Sequence, residues 1–152
     1  MPDKALAGKC GMYCGSCPIY RAAHEADEKK IFDLSFKTRC TIDLVKCEGC
    51  GTPDRFALSK GCTFRKCASG RGLDSCGQCP DFPCDTLLGL YEDDMRSKGE
   101  AEKNARRAGE VGVEKWLAEA EARWSCGRCG RKLALDMIEC PSCDLVTSKP
   151  PH

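Results

Sequence analysis

Fifteen of the 152 residues are cysteine, and most of them stand in short, regular spacings. Cysteine at this density is typical either of a disulfide scaffold or of a chain with several metal sites. The first residues, 1–14, contain no apolar segment of the kind that directs export. We therefore expect a cytoplasmic protein, in which the thiol pool keeps cysteines reduced. An odd number of cysteines would also leave one without a disulfide partner, so the sequence favours metal sites over disulfides.

Histidine narrows the kind of site, because the chain holds only two, His24 and His152. Zinc fingers built from two cysteines and two histidines cannot account for the fifteen cysteines. Sites made almost wholly of thiolates remain, which means four-thiolate zinc or iron–sulfur clusters.

Charge and hydropathy remove two classes of partner. The net charge is +1, which gives no field to hold nucleic acid or a membrane surface. No apolar run approaches the roughly 18 residues that a membrane span needs. We predict that the partner is another protein, and we expect neither nucleic acid nor a membrane.

The cysteine-free interval between Cys84 and Cys126 divides the chain. We predict a cysteine-rich metal-binding domain (residues 1–84), a helical connector (85–124), a four-cysteine module (125–147) and a tail (148–152). The expected fold is small, α-rich and irregular, stabilised by metal, with cysteine knuckles and a C-terminal two-stranded zinc ribbon.

Three segments carry helical patterns. Pro18 suits the first position of a helix over 18–37, and a helix from Asp85 should end at Gly99 with Met95 on its apolar face. In a third helix, over 113–124, apolar residues recur at helical spacing and should form a buried face. These are Val113, Trp116, Leu117, Ala120 and Trp124.

The C-terminal motif is two CxxC pairs separated by ten residues, which provide Cys126, Cys129, Cys140 and Cys143. Each pair can offer two thiolates from one tight turn, so the four sulfurs can surround one metal tetrahedrally. The module resembles zinc ribbons and rubredoxins. Spacing does not distinguish zinc from iron, but a module too small to fold alone favours structural Zn²⁺, because metal binding then supplies folding free energy.

The N-terminal cysteines form three groups whose pairing the spacing leaves open. The first is a CxxxCxxC triplet, Cys10, Cys14 and Cys17; the second is Cys47, Cys50, Cys62 and Cys67; the third is Cys76, Cys79 and Cys84. They can hold Zn²⁺ or [4Fe–4S], in sequential or interleaved sites, with His24 as a further candidate ligand. The triplet is similar to that of radical S-adenosylmethionine enzymes, but their barrel needs a longer chain than this one. Cys40 stands outside every pair and is predicted not to be a ligand.

The order of these cysteines resembles a known family. CGMYCGSCPIY (10–20), CEGC (47–50) and GCTFRKCASGRGLDSCGQCPDFPC (61–84) are similar to the domain-of-unknown-function family 3795. Some members are similar also over GVEKWLAEAEARW (112–124) and a following four-cysteine ribbon. The resemblance implies that the N-terminal cysteines other than Cys40 belong to one shared pattern.

These patterns predict a multi-site thiolate metal protein, with structural zinc in a protein-interaction module as the first hypothesis. An iron–sulfur electron-transfer or cluster-carrier protein is the alternative, and a nucleic-acid-binding zinc ribbon is a third. No acid–base pair, activated nucleophile or cofactor fingerprint can be identified, so no enzyme activity is predicted.

Overall fold

The computed structural model describes residues 2–93 and 99–146, and within them the chain is rich in helix. The helices are α1 (Pro18–His24), α2 (Glu28–Thr38), α3 (Thr63–Gly70), α4 (Asp85–Glu92), α5 (Glu100–Val111) and α6 (Val113–Arg123). Short 3₁₀ turns lie at Lys4–Leu6, Cys14–Ser16, Ile42–Leu44, Ala57–Ser59 and Cys76–Gln78. The α-rich prediction is confirmed. No strand occurs in the described ranges, so the two-stranded ribbon is not confirmed.

The predicted helix over 18–37 is two helices in the structure. Pro18 does occupy the first turn of α1, as expected. The chain then turns at Ala26, whose φ of 52° is left-handed. Asp27 starts α2 by accepting a hydrogen bond from the Lys30 backbone N–H at 3.0 Å. The apolar spacing alone did not indicate this break.

The connector differs from its prediction in one helix and agrees in another. α4 ends at Glu92 rather than at Gly99, and Met95 and the predicted tail (148–152) lie outside the described residues. Gly99 instead precedes α5, in a left-handed conformation with φ 84°. The apolar stripe predicted for 113–124 is confirmed, because all five of its side chains are buried.

The largest hydrophobic cluster draws on all three predicted parts of the chain. Ala7 and Tyr13 come from the N-terminal part, Trp116 and Leu117 from α6, and Leu133 from the C-terminal module. The division into domains remains a prediction, since shared packing does not reveal which segments fold independently.

Helix α5 packs with a face of small residues against two cysteine-containing turns. One turn holds Gly11, which follows Cys10, and the other holds Gly77, which follows Cys76. Ala101, Ala105 and Ala108 are almost completely buried. A Cβ added to Gly11 would lie 2.8 Å from the backbone nitrogen of Ala105, and one added to Gly77 would lie 2.6 Å from its carbonyl carbon. The helix therefore touches the two turns backbone to backbone. Among the described helices, none is long and apolar enough to cross a bilayer.

Candidate metal centres

Two similar turns present the C-terminal cysteines. In the first turn, the Cys126 N–H donates to the Arg131 carbonyl at 2.8 Å, and a single bridge joins Ser125 to Lys132. Gly130 closes this turn with a φ of 74°.

The second turn repeats the arrangement fourteen residues later. The Cys140 N–H donates to the Leu145 carbonyl at 2.9 Å, and a bridge joins Glu139 to Val146. Asp144, with φ 55°, stands where the first turn has Gly130. Two equivalent turns facing each other present four thiols to one point.

The four sulfurs converge, as the sequence predicted. Their Sγ atoms all lie within 4.8 Å of one another. Two of these separations join the two turns, 3.6 Å from Cys126 to Cys143 and 3.5 Å from Cys129 to Cys140. A Zn–S bond of about 2.3 Å in tetrahedral geometry requires sulfurs about 3.8 Å apart. The arrangement therefore fits a single four-coordinate ion.

Hydrogen bonds and burial set the thiol acidities at this centre. The backbone N–H groups of Cys129 and then Arg128 lower the pKa of Cys126 to about 6. The Leu145 N–H lowers the pKa of Cys143, but desolvation and hydrogen bonds with the other thiols outweigh it and raise that pKa to about 12. The Cys126 thiol therefore ionises near neutral pH, and Cys143 retains a proton that a metal ion would displace.

The C-terminal turns are held on the rest of the protein rather than projecting from it. Cys126 and Cys140 belong to the large hydrophobic cluster, at 5% and 0% exposure. The Leu135 N–H donates at 2.8 Å to the carbonyl of buried Ser16, next to the first cysteine triplet. Lys30 also forms an ion pair with Asp136. A metal ion here would stabilise this packing.

The N-terminal cysteines of the first two sequence groups meet in space. The Cys50 N–H donates to the Cys14 Sγ at 3.3 Å. The Cys50 side chain is also the first cause that raises the pKa of Cys14, followed by burial. Burial, and then charge on Cys50 and Cys62, raise the pKa of Cys10 to about 12. Cysteines from separate sequence groups are therefore interleaved here.

The other N-terminal cysteines divide between an apolar cluster and a cavity. Cys47 is buried in a cluster with Ile19 and Leu34, and Cys17 and Cys40 pack against it. The Cys40 Sγ donates to the Thr38 carbonyl at 3.5 Å, and its exclusion from the metal ligands stays a prediction. His24 stacks on Tyr20 with ring centroids 4.0 Å apart and lies 3.3 Å from a Glu48 carboxylate oxygen.

A cavity of about 110 Å³ is lined by four more cysteines, Cys67, Cys76, Cys79 and Cys84. Cys67 lies on α3, Cys76 begins the 3₁₀ turn that Cys79 follows, and Cys84 precedes α4. Burial, and then charge on Cys84, Cys67 and Cys79, raise the pKa of Cys76 to about 11. Spacing could not have found this set, because Cys67 comes from a different sequence group than the other three.

No disulfide joins any of the fifteen cysteines, all of which lie in the part of the chain that the structure describes. The fold and the four converging C-terminal sulfurs define a helix-rich, cysteine-cluster protein with a site for a metal ion. The family model described as protein of unknown function (DUF3795) matches residues 6–89, more than half of the chain, and the chain belongs to this family. The match contains all eleven N-terminal cysteines and stops before α5, α6 and the C-terminal centre. No curated protein and no solved structure matched the chain.

Proposed function

We propose that the protein binds metal through thiolates at more than one site, and that its C-terminal centre holds one structural zinc ion. The observation that carries the proposal is the convergence of the four C-terminal Sγ atoms to within 4.8 Å. Single-ion coordination needs this spacing, and a redox-active dithiol would need only two of the four sulfurs.

A structural role follows from the closed ligand set. Four protein thiolates fill a tetrahedral shell and leave no position at which zinc could activate water. The centre joins α6 to the N-terminal part through Trp124, Leu133 and the Leu135–Ser16 hydrogen bond. Zinc would therefore act by holding these segments together, and its binding energy would contribute directly to folding.

A protein partner is the second half of the proposal. Helix α2 and the turn after it expose four large apolar side chains, Phe32, Phe36, Ile42 and Leu44. The Phe36 side chain is 77% exposed, which is unusual for phenylalanine in a protein that binds no other protein. Apolar surface of this kind is typical of protein interaction sites.

Nucleic-acid binding has less support. The basic residues of the first C-terminal turn are engaged within the chain: Arg128 donates to the Cys143 carbonyl at 3.2 Å, Arg131 pairs with Glu25 at 2.9 Å, and Lys132 pairs with Glu121 at 2.8 Å. A phosphate backbone would have to displace these contacts.

The test is metal analysis of full-length protein purified without oxygen, with Cys126→Ser and Cys40→Ser as a matched pair. We expect Cys126→Ser to lose one equivalent of zinc and to melt at a lower temperature, and Cys40→Ser to keep its metal. Retention of all zinc in Cys126→Ser, or iron at this centre in the parent protein, would overturn the proposal.

Iron–sulfur chemistry is the second candidate function for the N-terminal part. The observation that favours it is the cavity lined by four cysteines, which is a different kind of site from the C-terminal centre.

A further inference from the structure

We infer that Cys67, Cys76, Cys79 and Cys84 hold one [4Fe–4S] cluster in the cavity between α3 and the start of α4. The inference goes beyond the zinc centre and does not depend on it, because the two sites share no residue. It selects four ligands from the N-terminal cysteines and names the group that they bind.

The size of the cavity is the first argument. It measures about 110 Å³, whereas one water molecule needs only about 10–15 Å³. A single ion would occupy only a small part of this space. A group with several atoms of iron and sulfide fills such a space and offers one iron to each surrounding thiolate.

The separation of the sulfurs is the second argument. Within the described part of the chain, three or more ligand atoms lie within 4.8 Å of one another only at the C-terminal centre. The cavity cysteines therefore surround a space without converging on one point. A four-iron cluster suits thiolates that do not share one point, because each thiolate binds a different iron.

The lining of the cavity is the third argument. Phe64, Leu73, Phe82 and Leu87 form much of its wall, and Cys76 and Leu87 are buried. Apolar groups near a cluster help to set its reduction potential, and the exposed Cys67 lies on the open side of the cavity.

A cation at the rim is the fourth argument. The Arg71 Nη1 donates to the Cys79 Sγ at 3.2 Å and to the Asp81 carboxylate at 2.9 Å. A [4Fe–4S] cluster with four thiolates carries net negative charge, which a guanidinium donor offsets. Asp81 orients Arg71, and we assign Arg71 as a positioning and tuning residue rather than a ligand.

The experiment compares iron, sulfide and zinc in full-length protein purified without oxygen and reconstituted with ferrous iron and sulfide. We expect Cys76→Ser to lose iron and sulfide in equal amounts, by one cluster equivalent per chain, while the zinc of the C-terminal centre stays. Cys126→Ser should lose zinc and keep iron and sulfide, and Cys40→Ser should keep the zinc and the cluster. Failure of this inference is therefore distinguishable from failure of the zinc proposal.

Two further variants guard against a Cys76→Ser protein that does not fold. Cys67 is exposed, so Cys67→Ser should keep its helical circular dichroism and still lose the cluster signal. Arg71→Gln should keep the iron but lower the reduction potential, because it removes a positive charge and a hydrogen bond to sulfur. Unchanged iron and sulfide in both cysteine variants, or zinc without sulfide in the cavity of the parent protein, would overturn the inference.

Discussion

Gly77 and Gly109 contact each other through their backbones, at the point where α5 crosses the turn between Cys76 and Cys79. A Cβ added to Gly109 would lie 2.8 Å from the carbonyl carbon of Gly77. No side chain fits between the two segments. This approach places α5, which lies outside the residues matched to the family, directly on a pair of cavity cysteines.

The first prediction follows from that contact. Gly77→Ala should cost about 1–3 kcal/mol of stability, because the new methyl group overlaps the carbonyl of Ala105 and forces α5 away. Gly89→Ala is the matched control: Gly89 lies within α4 with open space around it, so alanine should stabilise by about 0.5–1 kcal/mol. Denaturant unfolding of both variants measures the difference, and equal effects would refute the close contact.

The second prediction concerns the core beneath the C-terminal centre. Leu117 is 1% exposed in the cluster that contains Cys126 and Cys140. Leu117→Ala should cost about 2–5 kcal/mol and should speed the loss of zinc to a chelator. Leu88→Ala removes the same atoms from a side chain that is 38% exposed and should cost much less. If both variants lose zinc to the chelator at the same rate, packing of the core does not influence the metal centre and the prediction is wrong.

The third prediction concerns a buried carboxylate. Glu100, at 6% exposure, accepts a hydrogen bond from Arg123 at 2.6 Å, which ties the start of α5 to the end of α6. Arg123→Ala should cost about 1–3 kcal/mol, because it removes the charged hydrogen bond that the buried Glu100 carboxylate accepts. Arg106→Ala breaks the exposed pair with Glu102 and should cost less than about 0.5 kcal/mol. Thermal unfolding of the two variants at matched metal content measures the difference. Similar losses of stability would contradict a stabilising role for the Arg123–Glu100 pair.

The fourth prediction tests the equivalence of the two C-terminal turns. Gly130 has a φ of 74° where the second turn has Asp144 at 55°. Gly130→Asp should therefore be tolerated better than Gly130→Val, since aspartate adopts the left-handed region more readily than a β-branched residue. Gly127→Val serves as the control, because Gly127 has open space and needs no positive φ. Zinc retention against a chelator ranks the variants, and equal loss from the two Gly130 variants would contradict the prediction.

The sequence predicted the parts of the fold that a local pattern of large apolar residues or paired cysteines indicates. The stripe that contains Trp116 and Leu117 is buried as expected, and the four C-terminal sulfurs meet as their spacing indicated. Helix α5 was not predicted, because its buried face consists of Ala101, Ala105 and Ala108. Alanine contributes little to a hydrophobic pattern in the sequence. A face of alanines can pack closely here because Gly11 and Gly77 on the opposing turns carry no side chain.

Long-range contacts account for what the sequence could not predict. A two-stranded ribbon was predicted for the C-terminal module, but the Leu135 N–H donates to the Ser16 carbonyl instead of to a neighbouring strand. Likewise, spacing could not join Cys67 to Cys76, because the chain turns after α3 before it reaches the cavity. These partners are far apart in sequence, and local patterns hold no information about them.

The measurement that tests the central claim most directly is X-ray absorption at the zinc edge of the full-length protein. We predict a first shell of sulfur at about 2.3 Å with no oxygen or nitrogen neighbour. The zinc signal should fall by one equivalent in Cys126→Ser and stay unchanged in Cys40→Ser. A shell that includes oxygen or nitrogen, or a zinc signal that Cys126→Ser does not change, would contradict a closed four-thiolate centre at Cys126, Cys129, Cys140 and Cys143.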